Sequence, residues 1–200
     1  MGKNQKRRII GGPGPENLAA RATGKVVTVP RLHALARVMD TAIWLWFFEK
    51  DLLSIHLLIW ASYRCLQDLG KKSGKGPRLE TQIGDQQFAA AYDFLRHASS
   101  NPNVVIDFVP SINAPVLFDA VAAFNRIFGN LTLYMRAFRV YFALHPEGLT
   151  PDSMKRLLER AGELLPEGIT VEEATKLGKI EFFDKLTEMF AVQYGAPSAA

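Results

Sequence analysis

The chain has 200 residues, 48% hydrophobic and 22% charged, a globular composition that buries roughly 70% of its unfolded surface without needing a disulfide or a metal. Cys65 is its only cysteine, which excludes an intrachain disulfide and a Cys-rich zinc site and points to a reducing, cytoplasmic setting. The net charge of +4 is uneven: residues 1–30 hold six cations against Glu16, a net of +5, and leave the other 170 residues at −1, too near neutral for a broad nucleic-acid surface.

Residues 1–29 combine Gly, Pro, Lys and Arg without hydrophobic periodicity and read as a disordered basic tail. Within it, "KNQKRR" is either a phosphate-seeking arm, with RNA as its partner, or a solubilising leader. The start lacks the apolar core of a secretory signal. A helical bundle domain is expected over 30–146. Its first helix follows Pro30, with Leu32, Leu35, Met39, Ile43 and Trp46 in one apolar stripe. Glu49-Lys50-Asp51 ends that helix, and Asp51 suits the N-cap of the next. The same charges cut "TAIWLWFFEKDLLSIHLLIWASY" into pieces shorter than the roughly twenty apolar residues of a membrane span. The second helix, Leu52 to about Leu69, is apolar nearly all round in its first half, which predicts the central position. Gly70 suits its C-terminal cap, and "GKKSGKGP" reads as a polar loop.

A third helix is expected from Asp85 to near Ala98, with Phe88, Tyr92 and Leu95 on one face. "VVIDFVP" follows as an extended connector. Leu117, Val121, Phe124 and Phe128 mark a fourth helix; Leu131, Tyr134, Phe138 and Tyr141 mark a fifth. Gly129-Asn130 separates these two, and His145-Pro146 ends the second of them. Over 147–200 the expectation is a C-terminal helical pair packed as a hairpin, then a frayed end. Thr150-Pro151-Asp152 starts the first of the pair. Thr170 and Glu173 have capping-box spacing before a helix running to about Gln193, weakened at Gly178 by roughly 1 kcal/mol relative to Ala. The fold class is all-α, an up-and-down bundle of about five helices with this C-terminal pair.

No P-loop, dinucleotide glycine fingerprint, HExxH or GxSxG is present, no histidines stand at metal-ligand spacing, and no cofactor is implied. Polar residues within helices carry the remaining information. His33, Arg37 and Asp40, at i, i+4 and i+7, share a face of the first helix, as one wall of a site or as a solvated stripe with an Arg–Asp pair. His56 falls on the apolar helix with Tyr63 two turns along, as a site residue or as a core histidine satisfied by a hydrogen bond. Arg96 and His97 end the third helix, opposite its apolar stripe and beside Asp93, where the helix dipole favours cations without any further role.

"RLHALARVMDTAIWLWF", "LLSIHLLIWASYRCLQDL" and "FLRHASSNPNVVIDF" together resemble a family of bacterial proteins with a HEPN-like helical domain, over roughly Pro30 to Pro146. The resemblance implies a helical bundle that dimerises. Some members of that superfamily are metal-independent ribonucleases of toxin–antitoxin or phage-defence systems, and others only bind. Its catalytic signature, an Arg, four to six residues, then a His, is matched here by Arg139 and His145 in "RVYFALH", although Val140 stands where active members carry a polar residue. Residues six apart on a helix diverge by about 120°, so the pair converges only where Pro146 unwinds the end. In such an enzyme His145 or His97 would move the proton of the RNA 2′-OH, and Arg139 or Arg96 would stabilise charge on the phosphate.

The competing reading is a non-catalytic interaction module. Trp44, Trp46, Phe47 and Phe48 are crowded together; such a patch is usually core, but if exposed it marks an aromatic face for a protein partner. This binding reading is the one adopted from sequence, as a cytoplasmic homodimer with a protein partner, and the ribonuclease is the alternative.

Overall fold

A computed structural model describes residues 28–79, 94, 105–106, 109–146 and 150–195. Within them the chain is all-α and has no strand. The helices are α1 (Arg31–Phe47), α2 (Leu52–Gly70), α3 (Asn113–Phe128, entered through a 3-10 turn at Pro110–Ile112), α4 (Leu133–Leu144), α5 (Pro151–Leu164), α6 (Val171–Lys176) and α7 (Lys179–Tyr194). None of them is long and apolar enough to cross a membrane. Of the helix expected over 85–98 only Phe94, which is helical, is among the described residues, and these hold the other four of the five bundle helices. Val109, in the expected connector, is extended (φ −104°, ψ 98°).

The helix ends follow from local chemistry. Asp51 accepts the Ser54 N–H at 2.6 Å and opens α2, as its position predicts. Thr132 does the same for α4 through the Met135 N–H at 3.1 Å. Gly129 closes α3 in the left-handed conformation (φ 70°), which costs a glycine nothing. Pro151 sits in the first turn of α5. Thr170 and Glu173 cap each other reciprocally at α6.

Three expectations are corrected. The helix expected from Thr170 to about Gln193 is two helices, because Leu177 and Gly178 are both extended (ψ 139° and 155°) and Gly178 becomes the N-cap of α7. The C-terminal part therefore holds three helices rather than a pair. Among the described residues the central helix is α4, not α2: it packs against α1, α3, α5 and α7, whereas the described neighbours of α2 are α1 and α3, and Leu52 and Leu69 on it are exposed. An all-apolar stretch does not say which of its sides a neighbour covers.

The third correction concerns the aromatic crowd. Phe47 is wholly buried, and its ring lies 4.6 Å from that of Phe183 on α7. Trp46 meets Phe138 and Tyr141 edge to face at 5.1 and 5.5 Å. Phe182 and Phe183 meet Tyr141 and Tyr134 at 5.1 and 4.8 Å. The aromatic residues of α1 thus form the seat on which α7 docks, and only Trp44, at 38%, is exposed. Edge-to-face pairs of this kind add about 0.5–1.5 kcal/mol each beyond the area they bury.

Candidate functional site

The corner between α1 and α2 is open. A cleft of about 680 Å³ lies there, with a floor of Trp46, Leu52, Leu53, Ile55 and Pro110. Charges of both signs, Glu49, Lys50, Asp51 and Lys179, ring it. Its shape depends on how α1 stops. Lys50 N–H bonds the Leu45 carbonyl (3.0 Å) and Glu49 N–H bonds the Trp46 carbonyl (3.3 Å), the two bonds of a Schellman ending. Glu49 fills the left-handed position (φ 51°) that glycine usually takes there, a conformation that costs a residue with a Cβ roughly 1–2 kcal/mol. Its carboxylate and the indole of Trp46 hold Lys179, whose Nζ is 3.5 Å from Glu49 Oε1 and 3.8 Å from the ring centroid. The ammonium therefore hangs over the apolar floor at the foot of α7.

The stripe His33, Arg37, Asp40 does not form a wall. His33 is exposed and Arg37 half-buried, but Asp40 is fully buried. The cause is tertiary: by the second half of α1 the start of α4 covers that face. Thr132 donates its hydroxyl to Asp40 Oδ1 at 2.5 Å, and no Arg–Asp pair forms. Asp40 Oδ2 has no hydrogen-bond partner among the described residues. Burial pushes the Asp40 pKa up to about 8, against the opposing pull of Thr132, so the carboxyl is neutral at neutral pH. Burial, and the nearby Asp40, also raise the Tyr134 phenol.

His56 is buried and its Nδ1 lies 2.8 Å from Asn113 Oδ1. The Asn113 amide nitrogen donates to the Leu52 carbonyl at 3.2 Å, so the oxygen faces the imidazole and Nδ1 carries the proton. That arrangement ties α2 to α3 and satisfies the histidine. Tyr63 turns elsewhere. Its hydroxyl donates to Asp119 Oδ2 at 3.2 Å, and the same oxygen accepts the backbone N–H groups of Arg78 (2.6 Å) and Leu79 (2.7 Å). Arg126 pairs with Asp119 at 3.5 Å and donates to the carbonyls of Lys75 and Gly76 at 3.3 and 2.9 Å. The loop after α2 is thereby clamped on α3.

Arg139 and His145 face different neighbours. The His145 N–H still bonds the Tyr141 carbonyl (2.8 Å), so the helix has not unwound before it, and its ring lies 4.6 Å from that of Tyr141. Arg139 stands one turn along α4 from Arg136, on the helix against which α5, the helix of Arg160, packs. Its guanidinium pKa is lowered by partial burial, then by those two like charges. Arg96 and His97 lie outside the described residues. Burial raises the Cys65 thiol, so it is a weak nucleophile. No cluster of His, Cys, Asp and Glu among the described residues is arranged to hold a metal.

Comparison of the chain with models of protein families, with curated proteins and with solved structures finds no match in any of the three. The geometry therefore carries the functional argument. Four of its participants, Asn113, Asp119, Thr132 and Lys179, were not legible as partners in sequence. Of these, Asp119 alone had a signal that could have found it, since Arg126, seven residues on, falls on the same helix face.

Proposed function

We propose that this protein is a non-catalytic helical interaction module that takes an apolar segment of a partner protein in the cleft between α1 and α2. The observation that supports this reading is the cleft itself. Leu52 keeps 47% of its surface exposed beside Trp46, Leu53 and Pro110, within a rim of mixed charge. An apolar floor surrounded by polar groups is the usual anatomy of a protein-binding patch. The rim's two signs favour a segment with an apolar anchor flanked by charge rather than a uniformly charged ligand. In this reading the chain keeps the HEPN-like character its sequence suggests and acts as a homodimer in the bacterial cytoplasm, in a defence or toxin–antitoxin-type setting.

Selection of a displayed peptide library against the full chain tests the proposal. Wild type is expected to enrich peptides with a central apolar anchor, and Leu52→Asp, which puts a charge on the cleft floor, is expected to lose them. Equal enrichment by both proteins, or none by folded wild type, overturns it.

A second reading, the metal-independent ribonuclease, is favoured by one observation: Arg139 is a half-buried guanidinium beside two other arginines. Cleavage of a mixed RNA pool in EDTA by wild type, Arg139→Ala/His145→Ala and Arg96→Ala/His97→Ala decides it. Cleavage lost in one double variant supports the enzyme; an unchanged RNA pool rejects it.

A further inference from the structure

We propose that Arg136, Arg139 and Arg160 form a binding site for a phosphate group on the face where α5 packs along α4. Arg136 and Arg139 stand one turn apart on α4, and Arg160 comes from α5. Arg139 is half-buried and makes no hydrogen bond or ion pair among the described residues. Arg136 is fixed in place without being neutralised. It donates to Asn130 Oδ1 at 3.2 Å, and its guanidinium sits 4.0 Å above the Tyr194 ring. Arg160 has only Glu163, 3.5 Å away, with both side chains some two-thirds exposed (71% and 68%), a pair too open to water to neutralise the group.

Like charges gathered at a helix interface, with one guanidinium half out of water and unpaired, oppose folding unless something compensates. General basicity does not explain the cluster, because the 170 residues after the first thirty carry a net charge of −1. The compensating group is an oxyanion. A phosphate suits it best, because its several acceptor oxygens can meet guanidinium forks from two sides at once. His145 takes no part, so the site stands independently of any catalytic pairing, and it lies apart from the α1–α2 cleft. The phosphate belongs either to a free phosphate compound or to a phosphodiester chain.

The test is titration of the full-length protein with inorganic pyrophosphate and, separately, with a short single-stranded oligonucleotide, read by calorimetry at low salt. The wild type is expected to bind one of the two saturably. Arg139→Gln is expected to weaken that binding about tenfold or more, equivalent to about 1.4 kcal/mol. Arg156→Gln, which removes an exposed cation of α5, is expected to leave it unchanged, so that a loss confined to Arg139→Gln separates this site both from general charge and from anion binding by the basic residues 1–30. Binding of pyrophosphate identifies the free compound, and binding of the oligonucleotide alone identifies the phosphodiester. Should Arg139→Gln fail to fold, the Nε–H resonances of Arg136 and Arg139 in the wild type give the answer, since they must shift as either ligand is added. Equal binding by wild type and Arg139→Gln, binding of neither ligand, or unshifted arginine resonances overturns the site.

Discussion

Two aspartates, one on α3 and one on α1, show what a carboxyl group can do in a fold. Asp119, on α3, meets two backbone N–H groups, a tyrosine hydroxyl and an arginine, and holds the loop after α2 against the bundle. Asp40, on α1, is wholly buried with one hydroxyl donor, and its second oxygen has no partner among the described residues. The first carboxylate is surrounded by protein donors. The second is cheaper to protonate than to solvate, so the fold carries it as a neutral acid. Residue type is the same, and the donor count decides whether the group helps or hinders folding.

The largest effect is expected at the well-served aspartate. Asp119→Ala leaves the Arg78 and Leu79 N–H groups without their acceptor and removes the Arg126 ion pair, and is expected to cost about 3 kcal/mol in denaturant unfolding, with faster amide exchange at Arg78 and Leu79. The same region depends on Gly70, where a Cβ would stand 2.3 Å from the Gly76 nitrogen. Gly70→Ala is therefore expected to cost about 2–3 kcal/mol and to displace the loop, visible as lost protection of the same amides. Backbone cannot give way there as a flexible side chain would.

At Asp40 the sign reverses. Its pKa in the fold, about 8, is above the ordinary 3.8, so the folded chain holds a proton that the unfolded chain releases. Stability falls as pH rises from about 4 to about 8 and is level above that window. Asp40→Asn removes the ionisation from the unfolded chain. It is expected to match the wild type at pH 4 and to lack its decline of up to about 1.4 kcal/mol per pH unit between pH 4 and pH 8, measured as the difference in unfolding free energy between the two variants across pH. An unchanged pH slope in the variant would mean that the carboxyl is ionised and partnered after all. The smallest effect sharpens the same contrast. Thr132→Val takes away both the Asp40 donor and the cap of α4 and is expected to cost about 1–2 kcal/mol, with Thr132→Ser retaining most of it.

Helix boundaries were legible because their causes are local. Asp51 reaches Ser54, Thr170 reaches Glu173 and Gly129 bonds back to Asn125, all within four residues, and a sequence window contains both partners. The all-α class followed from apolar periodicity for the same reason. Site residues were read less well. His56 was recognised as either a site residue or a satisfied core histidine, and Asn113, 57 positions away, is its partner. Arg139 was singled out, but for a pairing with His145 across about 120° of helix rather than for its place beside Arg136 and Arg160.

Composition, pattern and caps thus determined that this chain forms helices and where most of them begin and end. Tertiary packing decided that α4 is the centre, that α7 covers the aromatic residues of α1, and that the Asp40 face is inside rather than out. It also decided which loop Asp119 clamps. These outcomes rest on contacts between residues far apart in the chain, 92 positions for Asp40 and Thr132 and 41 for Asp119 and Arg78. Helix periodicity records which side of a helix is apolar. Which neighbour reaches that side, and how many donors it brings, is settled only when the helices meet.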